Sequence, residues 1–375
     1  MTVTPSAIAG LKADTQGNVL EAYGLDYGWV RHLIVTVGDA AKARAALGSM
    51  AGPAPGPVRI ASGADTTGPF VNVGITYQGL EALGVPASSL RTFPPEFRAG
   101  MVARAARLGD IGPSGPTFWG GGLGRPGAVH LIFTVHAING TALKERADGV
   151  LAAGRDGGYR KLSCFDGQAL FHPETNKRVE HFGFRDGLSQ PRFEGIGRRP
   201  PAPTEPIEPL GVVLLGHPTT TPQVAVRVPE PFPLGHQGSF NAFRVLGQDV
   251  AAFRDFVAHT AAERGLSREL VMAKLCGRWP NGVPLAVART AEDAEAYLAS
   301  GRALNDFDLS DDQDGRLCPV GSHVRRTNPR RSHIVQRPAN RTRRLVRRGM
   351  PFGRWLGPDA PPDGPRELGL LGNFL

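Results

Sequence analysis

A chain of 375 residues, 41% of them hydrophobic and 21% charged, holds enough apolar material for a sizeable core and too little charge for wholesale disorder. The length fits two domains or one large one, and 49 glycines with 33 prolines imply many turns between ordered elements. The net charge of +9 invites a nucleic-acid reading, whereas the lack of any apolar stretch near the ~20 residues that span a bilayer argues against a membrane partner.

The first half reads as alternating strands and helices. Residues 31–37 (RHLIVTV) form a predicted strand, and an Ala-rich helix follows over 40–50. A second strand covers 70–76 (FVNVGIT) and runs directly into a helix at 77–83. Residues 122–127 (GLGRPG) match a dinucleotide-binding glycine pattern in letters only. They precede a strand instead of joining a strand to a helix, so a turn is expected. A third strand over 128–136 (AVHLIFTVH) leads to a helix around 142–151. His130 and His136 flank that strand and read as satisfied core or edge histidines. This order predicts an α+β fold, a sheet covered on one face by helices.

Residues 200–209 (PPAPTEPIEP) break the pattern, because proline fixes φ and removes the backbone donor. The domain boundary is placed there, giving units 1–199 and 210–375. Strand-like segments follow at 211–215 and 239–246, then helices at 248–264 and 268–275. From Trp279 onward few regular elements are expected. A long irregular stretch in a compact domain usually serves a site or a ligand.

Ten arginines lie between Arg325 and Arg348. Interspersed Pro, Asn and Gly and the lack of a helical period argue against nucleic acid. A pocket for an anionic ligand fits at least as well, beside a merely solvated basic surface. Cys164, Cys276 and Cys318 are far apart and form no CxxC, so neither a disulfide framework nor a zinc site is signalled. The start, MTVTPS, lacks a basic head with an apolar run, and a reduced cytoplasmic protein is expected.

Three segments carry candidate chemistry. In residues 183–191 (GFRDGLSQP), Gly183 and Gly187 bracket Asp186. Glycine lets the backbone turn sharply or approach a flat ligand. Asp186 is either a catalytic acid or an acceptor within its own turn. His323 sits in residues 318–330 (CPVGSHVRRTNPR), with small residues before it and arginines after. A haem needs one imidazole on iron, room for a flat ring and cations for its propionates; the alternative is an arginine-bearing loop of no special role. Residues 347–353 (RRGMPFG) read as a strand end, on which Arg347 and Arg348 point to opposite faces.

Together these segments resemble the dye-decolorising peroxidases. Residues 14–19 (DTQGNV), 72–86 (NVGITYQGLEALGVP), 238–253 (GSFNAFRVLGQDVAAF) and 273–286 (AKLCGRWPNGVPLA) are similar to the family's larger, fungal-type branch. The resemblance implies two ferredoxin-like halves of the dimeric α+β barrel type, with haem b held mainly by the second. It implies His323 as the iron ligand, Asp186 as the distal acid and Arg347 as the distal arginine. Arg330 and Arg326 become candidate propionate partners, and Gly187 part of the cofactor-binding loop. The implied substrates are hydrogen peroxide, which is reduced, and aromatic, dye-like reductants, which are oxidised in single-electron steps by a monomer or homodimer. Trp355, the tryptophan nearest these motifs, is either an electron relay or a packing residue.

The chain ends at residues 370–375 (LLGNFL), where the family continues through a strand, a helix and a final strand. Gly372 and Asn373 do not favour a strand. The second half is therefore expected to be incomplete and to lack the acid that supports the iron-ligating histidine, with Asp308, Asp311 or Asp312 as substitutes. A haem-binding relative without turnover is the alternative function.

Overall fold

The computed structural model describes residues 5–52, 56–197, 202–220, 226–333, 341, 344–355, 357 and 367–375. Its first half runs β1 (Trp29–Val37), α1 (Ala40–Ala51), β2 (Phe70–Ile75), β3 (Leu131–Ala137), α2 (Gly140–Ala153) and β4 (Tyr159–Gln168). The strands lie in the order β2-β3-β1-β4, every neighbour antiparallel. Period-2 alternation divides the sheet's two faces. Leu33, Val35, Val71, Phe133 and Val135 pack under the helices with Ala43, Met50, Leu143 and Val150. The opposite face carries Val30, His32, Asn72, Thr134 and His136, all nearly buried.

α1 and α2 each start where a side chain satisfies an orphan N–H. Asp39 accepts from Lys42 N at 2.8 Å at the start of α1, and Asn139 accepts from Ala142 N at 2.8 Å at the start of α2. β4 had no signature in the sequence. It is an edge strand with mostly exposed or half-buried residues, and its Asp166 takes a bidentate bond from Arg31 (2.7 and 2.6 Å). Charges on an edge discourage pairing with other chains and also erase the apolar pattern.

The second half contains β5 (Ala242–Gly247), α3 (Val250–Arg264), α4 (Arg268–Cys276), α5 (Ala291–Ala299), α6 (His323–Thr327), β6 (Met350–Phe352) and β7 (Gly369–Phe374). Among the described residues a three-stranded antiparallel sheet runs β6-β7-β5. Gly372 and Asn373 therefore do lie in a strand, against expectation. β7 is central, so bonds to both neighbours outweigh weak propensity, and the Asn373 side chain is buried instead of breaking the strand. The two sheets meet through Val30, Ala169, Met350 and Leu371, with Phe165 and Phe243 around them. This is the α+β, ferredoxin-like architecture.

Two further expectations are corrected. The strand expected at 211–215 is absent; Leu210–Val212 is a turn of 3-10 helix. Its apolar run is buried against Leu11, Val19 and Phe193 as an irregular segment, which apolarity alone cannot tell from a strand. The proline-rich stretch was expected to carry no sheet, and its residues 200–201 lie outside the described ones. Ile207–Glu208 nevertheless pairs in parallel with Arg192–Phe193, since both residues keep their N–H between Pro206 and Pro209.

Candidate active site

The loop bearing Asp186 is built on a buried carboxylate. Glu180 accepts from Phe182 N and Phe184 N (3.0 Å each) and from Gln248 Nε2 (2.6 Å), and burial raises its pKa. Gln248 N donates to Leu368 O at 2.8 Å, which ties this turn to the second sheet. Arg185 N donates to Pro280 O and Asp186 N to Arg178 O, both at 2.9 Å. The result is an exposed Asp186 side chain on a fixed backbone. Gly187, with φ of 74°, has open space where a Cβ would stand; conformation, not crowding, demands glycine there.

The same loop grips Arg347. Gln190 Nε2 donates to Arg347 O (2.9 Å) while Gln190 Oε1 accepts from Arg347 N (3.0 Å). The Arg347 guanidinium donates to Ser189 O and to Leu345 O, the latter at 3.2 Å. Arg348 goes the other way, donating to Asn18 O (2.7 Å) and Val19 O (3.4 Å). The expected divergence of the pair is observed. Burial and then Arg344 hold the Arg347 pKa below the usual arginine value, with Asp186 opposing them.

His323 opens α6 and is solvent-exposed. Surrounding protein, and then the charge of Arg347, push its pKa down. The imidazole is thus neutral at pH 7, and among the described residues no group hydrogen-bonds its ring. The charge of Arg347 reaches His323, and the loop that bears Asp186 grips Arg347 through Ser189 and Gln190.

The substitutes named for a histidine partner are engaged elsewhere. Asp312 forms a buried pair with Arg325 (2.5 Å) and accepts from Cys318 N (2.9 Å) and Leu317 N (3.1 Å). Asp308 accepts from Ser310 N at 3.0 Å and pairs with Arg331 at 3.4 Å, and Asp311 lies 3.5 Å from Ser310 Oγ. The Asp312–Arg325 pair instead braces the turn that presents His323.

Arg330 turns inward below the Asp186 loop. It donates to Asn305 Oδ1 (2.7 Å), stacks 4.1 Å over the Phe307 ring and lies 3.5 Å from Ser189 Oγ. Burial, then Arg278 and Arg344, lower its pKa to about 9, and its Nε is buried without a partner. Arg326 is exposed on α6, one turn after His323. Trp355 stacks on the His181 ring at 6.5 Å.

Comparison with known proteins gives one answer. The chain is 30% identical over 292 residues to Peroxidase 2 of Mycetinis scorodonius, covering 76% of this chain and 52% of that one. It is 30% identical over 298 residues to the multifunctional dye peroxidase DyP2 of an Amycolatopsis strain, covering 76% and 58%. A solved dye-decolorizing peroxidase in complex with 2,6-dimethoxyphenol superposes with a TM-score of 0.75 at 27% identity, over 97% of this chain and 80% of that one. The chain is similar to dye-decolorising peroxidases in sequence and in fold. No family model matches it, and it spans just over half the length of those first two curated relatives.

Within this dye-decolorising peroxidase fold, sequence reasoning missed Glu180, Ser189, Gln190 and the Asp312–Arg325 pair. Ser189 and Gln190 stood inside the quoted glycine-rich segment, but nothing in their identity signals a grip on residue 347. Of the ten arginines, Arg325, Arg330, Arg344 and Arg348 turn into the protein, and Arg341 reaches the fully buried Glu208 at 3.1 Å. The stretch is therefore no continuous basic stripe among the described residues. No helix among those residues is long and apolar enough to cross a membrane.

Proposed function

We propose that this chain binds haem b through His323 and is a peroxidase that consumes hydrogen peroxide and oxidises aromatic, dye-like donors in single-electron steps. The observation that carries the reading is the grip of the Asp186 loop on Arg347, through Gln190 on its backbone and Ser189 O on its guanidinium, which holds an acid and a cation in one unit. The chain's own groups suit the cofactor. A neutral imidazole free of protein hydrogen bonds offers the lone pair that iron takes. Arg278 and Arg344 both lower the pKa of Arg330, and a bound carboxylate would relieve that repulsion. Arg326 and Gly187 stay in the proposed haem-binding set as exposed neighbours of His323 and Asp186.

Bound haem would supply an iron that takes up peroxide and exchanges single electrons. The residues do the rest. Asp186, exposed and fixed by its backbone, takes the proton from one peroxide oxygen and returns it to the other, general acid–base work typically worth ~10²–10⁴-fold. Arg347, held by Ser189 and Gln190, stabilises the negative charge that develops as the O–O bond breaks. The boundary near residues 200–209, with haem held by 210–375, fits the placement of His323 and Arg347. The free thiols of Cys164, Cys276 and Cys318 support a reducing, cytoplasmic setting.

Protein expressed with haem should show a Soret band that His323→Ala removes, while Asp186→Asn keeps the band and loses dye oxidation. Full haem retention by His323→Ala would overturn the ligand assignment.

A further inference from the structure

A cavity of about 570 Å³ is walled by residues 14–19, by β2 and β3 and by the segment 232–241. Asp186, His323 and Arg347 do not line it. Part of its wall is already spent. Thr15 Oγ1 donates to Gln237 Oε1 at 3.3 Å, and Thr134 Oγ1 lies 2.9 Å from His32 Nδ1. Gln16 gives both ends of its amide to the Val73 backbone, at 2.7 and 3.0 Å. Asn72 Oδ1 accepts from the Tyr23 hydroxyl at 2.9 Å, while its Nδ2 is sealed from the cavity. Val19, Val73, Ile132 and Leu375 add apolar stretches between these groups.

The rest of the wall is polar and open. Asn18 is 6% exposed, yet its side-chain amide has no hydrogen-bond partner among the described residues and keeps its remaining surface toward the cavity. The Asp14 carboxylate, Gln237 Nε2, the Ser239 hydroxyl and the amide of Asn241 are likewise without partners among those residues. The segment that carries three of them is set in advance, because Gln237 N donates to Leu215 O at 3.0 Å and Leu215 N to Gly238 O at 2.9 Å. Beside them Phe232 is 58% exposed. His236 stacks on its ring at 4.4 Å, and His217 backs His236 at 5.7 Å, so Phe232 offers its free side as a steady flat surface.

An apolar molecule buried here would strip water from those polar groups and leave them unpaired. An anion would find no lysine or arginine on the wall and the Asp14 carboxylate at the rim, in a chain whose net charge is +9. A metal ion would find a single carboxylate. What remains is a neutral molecule with several hydroxyls on a ring that has an apolar face. We propose that this cavity binds a neutral saccharide, whose hydroxyls pair with Asp14, Asn18, Ser239 and Asn241 and whose C–H face packs on Phe232. A carboxylate accepts from two neighbouring hydroxyls, and a side-chain amide both donates and accepts, which matches the adjacent hydroxyls of a sugar ring. The exposed face of Phe232 matches the apolar side of that ring. Binding there does not rest on the peroxidase reading.

The test is calorimetric titration of the full chain with cellobiose, with sorbitol, glucuronate and 2-methoxyphenol as controls. One saturable site is expected for cellobiose. Sorbitol has the hydroxyls without the ring face, glucuronate carries a charge that Asp14 repels, and 2-methoxyphenol has too few hydroxyls; none should saturate. Asn18→Leu should weaken cellobiose ~10-fold, the loss of one hydrogen bond. Asp14→Ala and Phe232→Ala change exposed side chains and decide the matter if Asn18→Leu fails to fold; each should also cost ~10-fold. Affinity should be the same in the haem-loaded and haem-free chain, which separates this site from any failure of haem binding. No saturable binding of cellobiose, wild-type affinity in Asp14→Ala or in Phe232→Ala, equal or tighter binding of any control, or a site present only with haem would each overturn the proposal.

Discussion

Gln190 does with a side chain what a neighbouring strand does with its backbone. Its amide closes a two-bond ring on the N–H and C=O of Arg347, so the loop carrying Asp186 and the strand end carrying Arg347 move as one body. An acid and a cation that must act on the same peroxide need that fixed spacing, and a displacement of ~1 Å can cost ~10²-fold in rate. Gln190→Ala should therefore lower peroxide-dependent turnover by ~10–100-fold with haem occupancy, read from the Soret band, unchanged. Gln190→Glu keeps the acceptor for Arg347 N and loses the donor to Arg347 O, so its turnover should fall between the two. Wild-type turnover in Gln190→Ala would show that Ser189 alone positions the arginine.

At the scale of elements, α6 is too short to hold itself, since one turn of helix does not meet the cost of its own nucleation. Its position comes from Arg325, fully buried on the helix, against the nearly inaccessible Asp312. Arg325→Met leaves a buried carboxylate without its cation and should destabilise the protein by about 3–5 kcal/mol in urea unfolding. Adding Asp312→Leu should restore only part of that loss, because it removes the unpaired carboxylate but leaves Leu317 N and Cys318 N without their acceptor. Equal loss in both variants would show that the pair does not brace the histidine turn. The sequence made the regular elements of the first half legible because Leu33, Val35, Phe133 and Val135 repeat at the period of a strand. It hid β4, whose exposed charges erase that period, and it misread Gly372 and Asn373, whose strand is imposed by two neighbours. Asp186, His323 and Arg347 were legible because their chemistry is local to short motifs. Gln190 and Asp312 were not, since a contact across 157 or 13 positions leaves no mark on either residue.

The packing of the two sheets leaves a polar interior, and its cost is set by pH. His32 is 1% exposed and His136 7%, and both stand on the face of the first sheet that meets the second. Burial, then the neighbouring His136, push His32 down to about 3. Burial, then Arg348 and Arg178, push His136 down to about 4. Both are neutral in the folded protein at pH 6.5, where the unfolded chain begins to take up protons. Stability is therefore at its full value above pH ~6.5 and falls as the pH drops, because only the unfolded state is protonated. Each histidine contributes a slope of up to ~1.4 kcal/mol per pH unit, so the two together lose roughly 3 kcal/mol per unit between pH ~6 and ~4. Below about 4 the contribution of His136 levels off, and that of His32 does so below about 3. Urea unfolding of wild type and His136→Asn across pH 4–7 isolates the term from the carboxylates, which titrate in both proteins. The stability difference between the two should narrow steadily, in favour of the variant, as the pH falls from 6.5. A difference independent of pH would mean that His136 gains its proton inside the folded protein, and that the interior between the sheets admits charge and water.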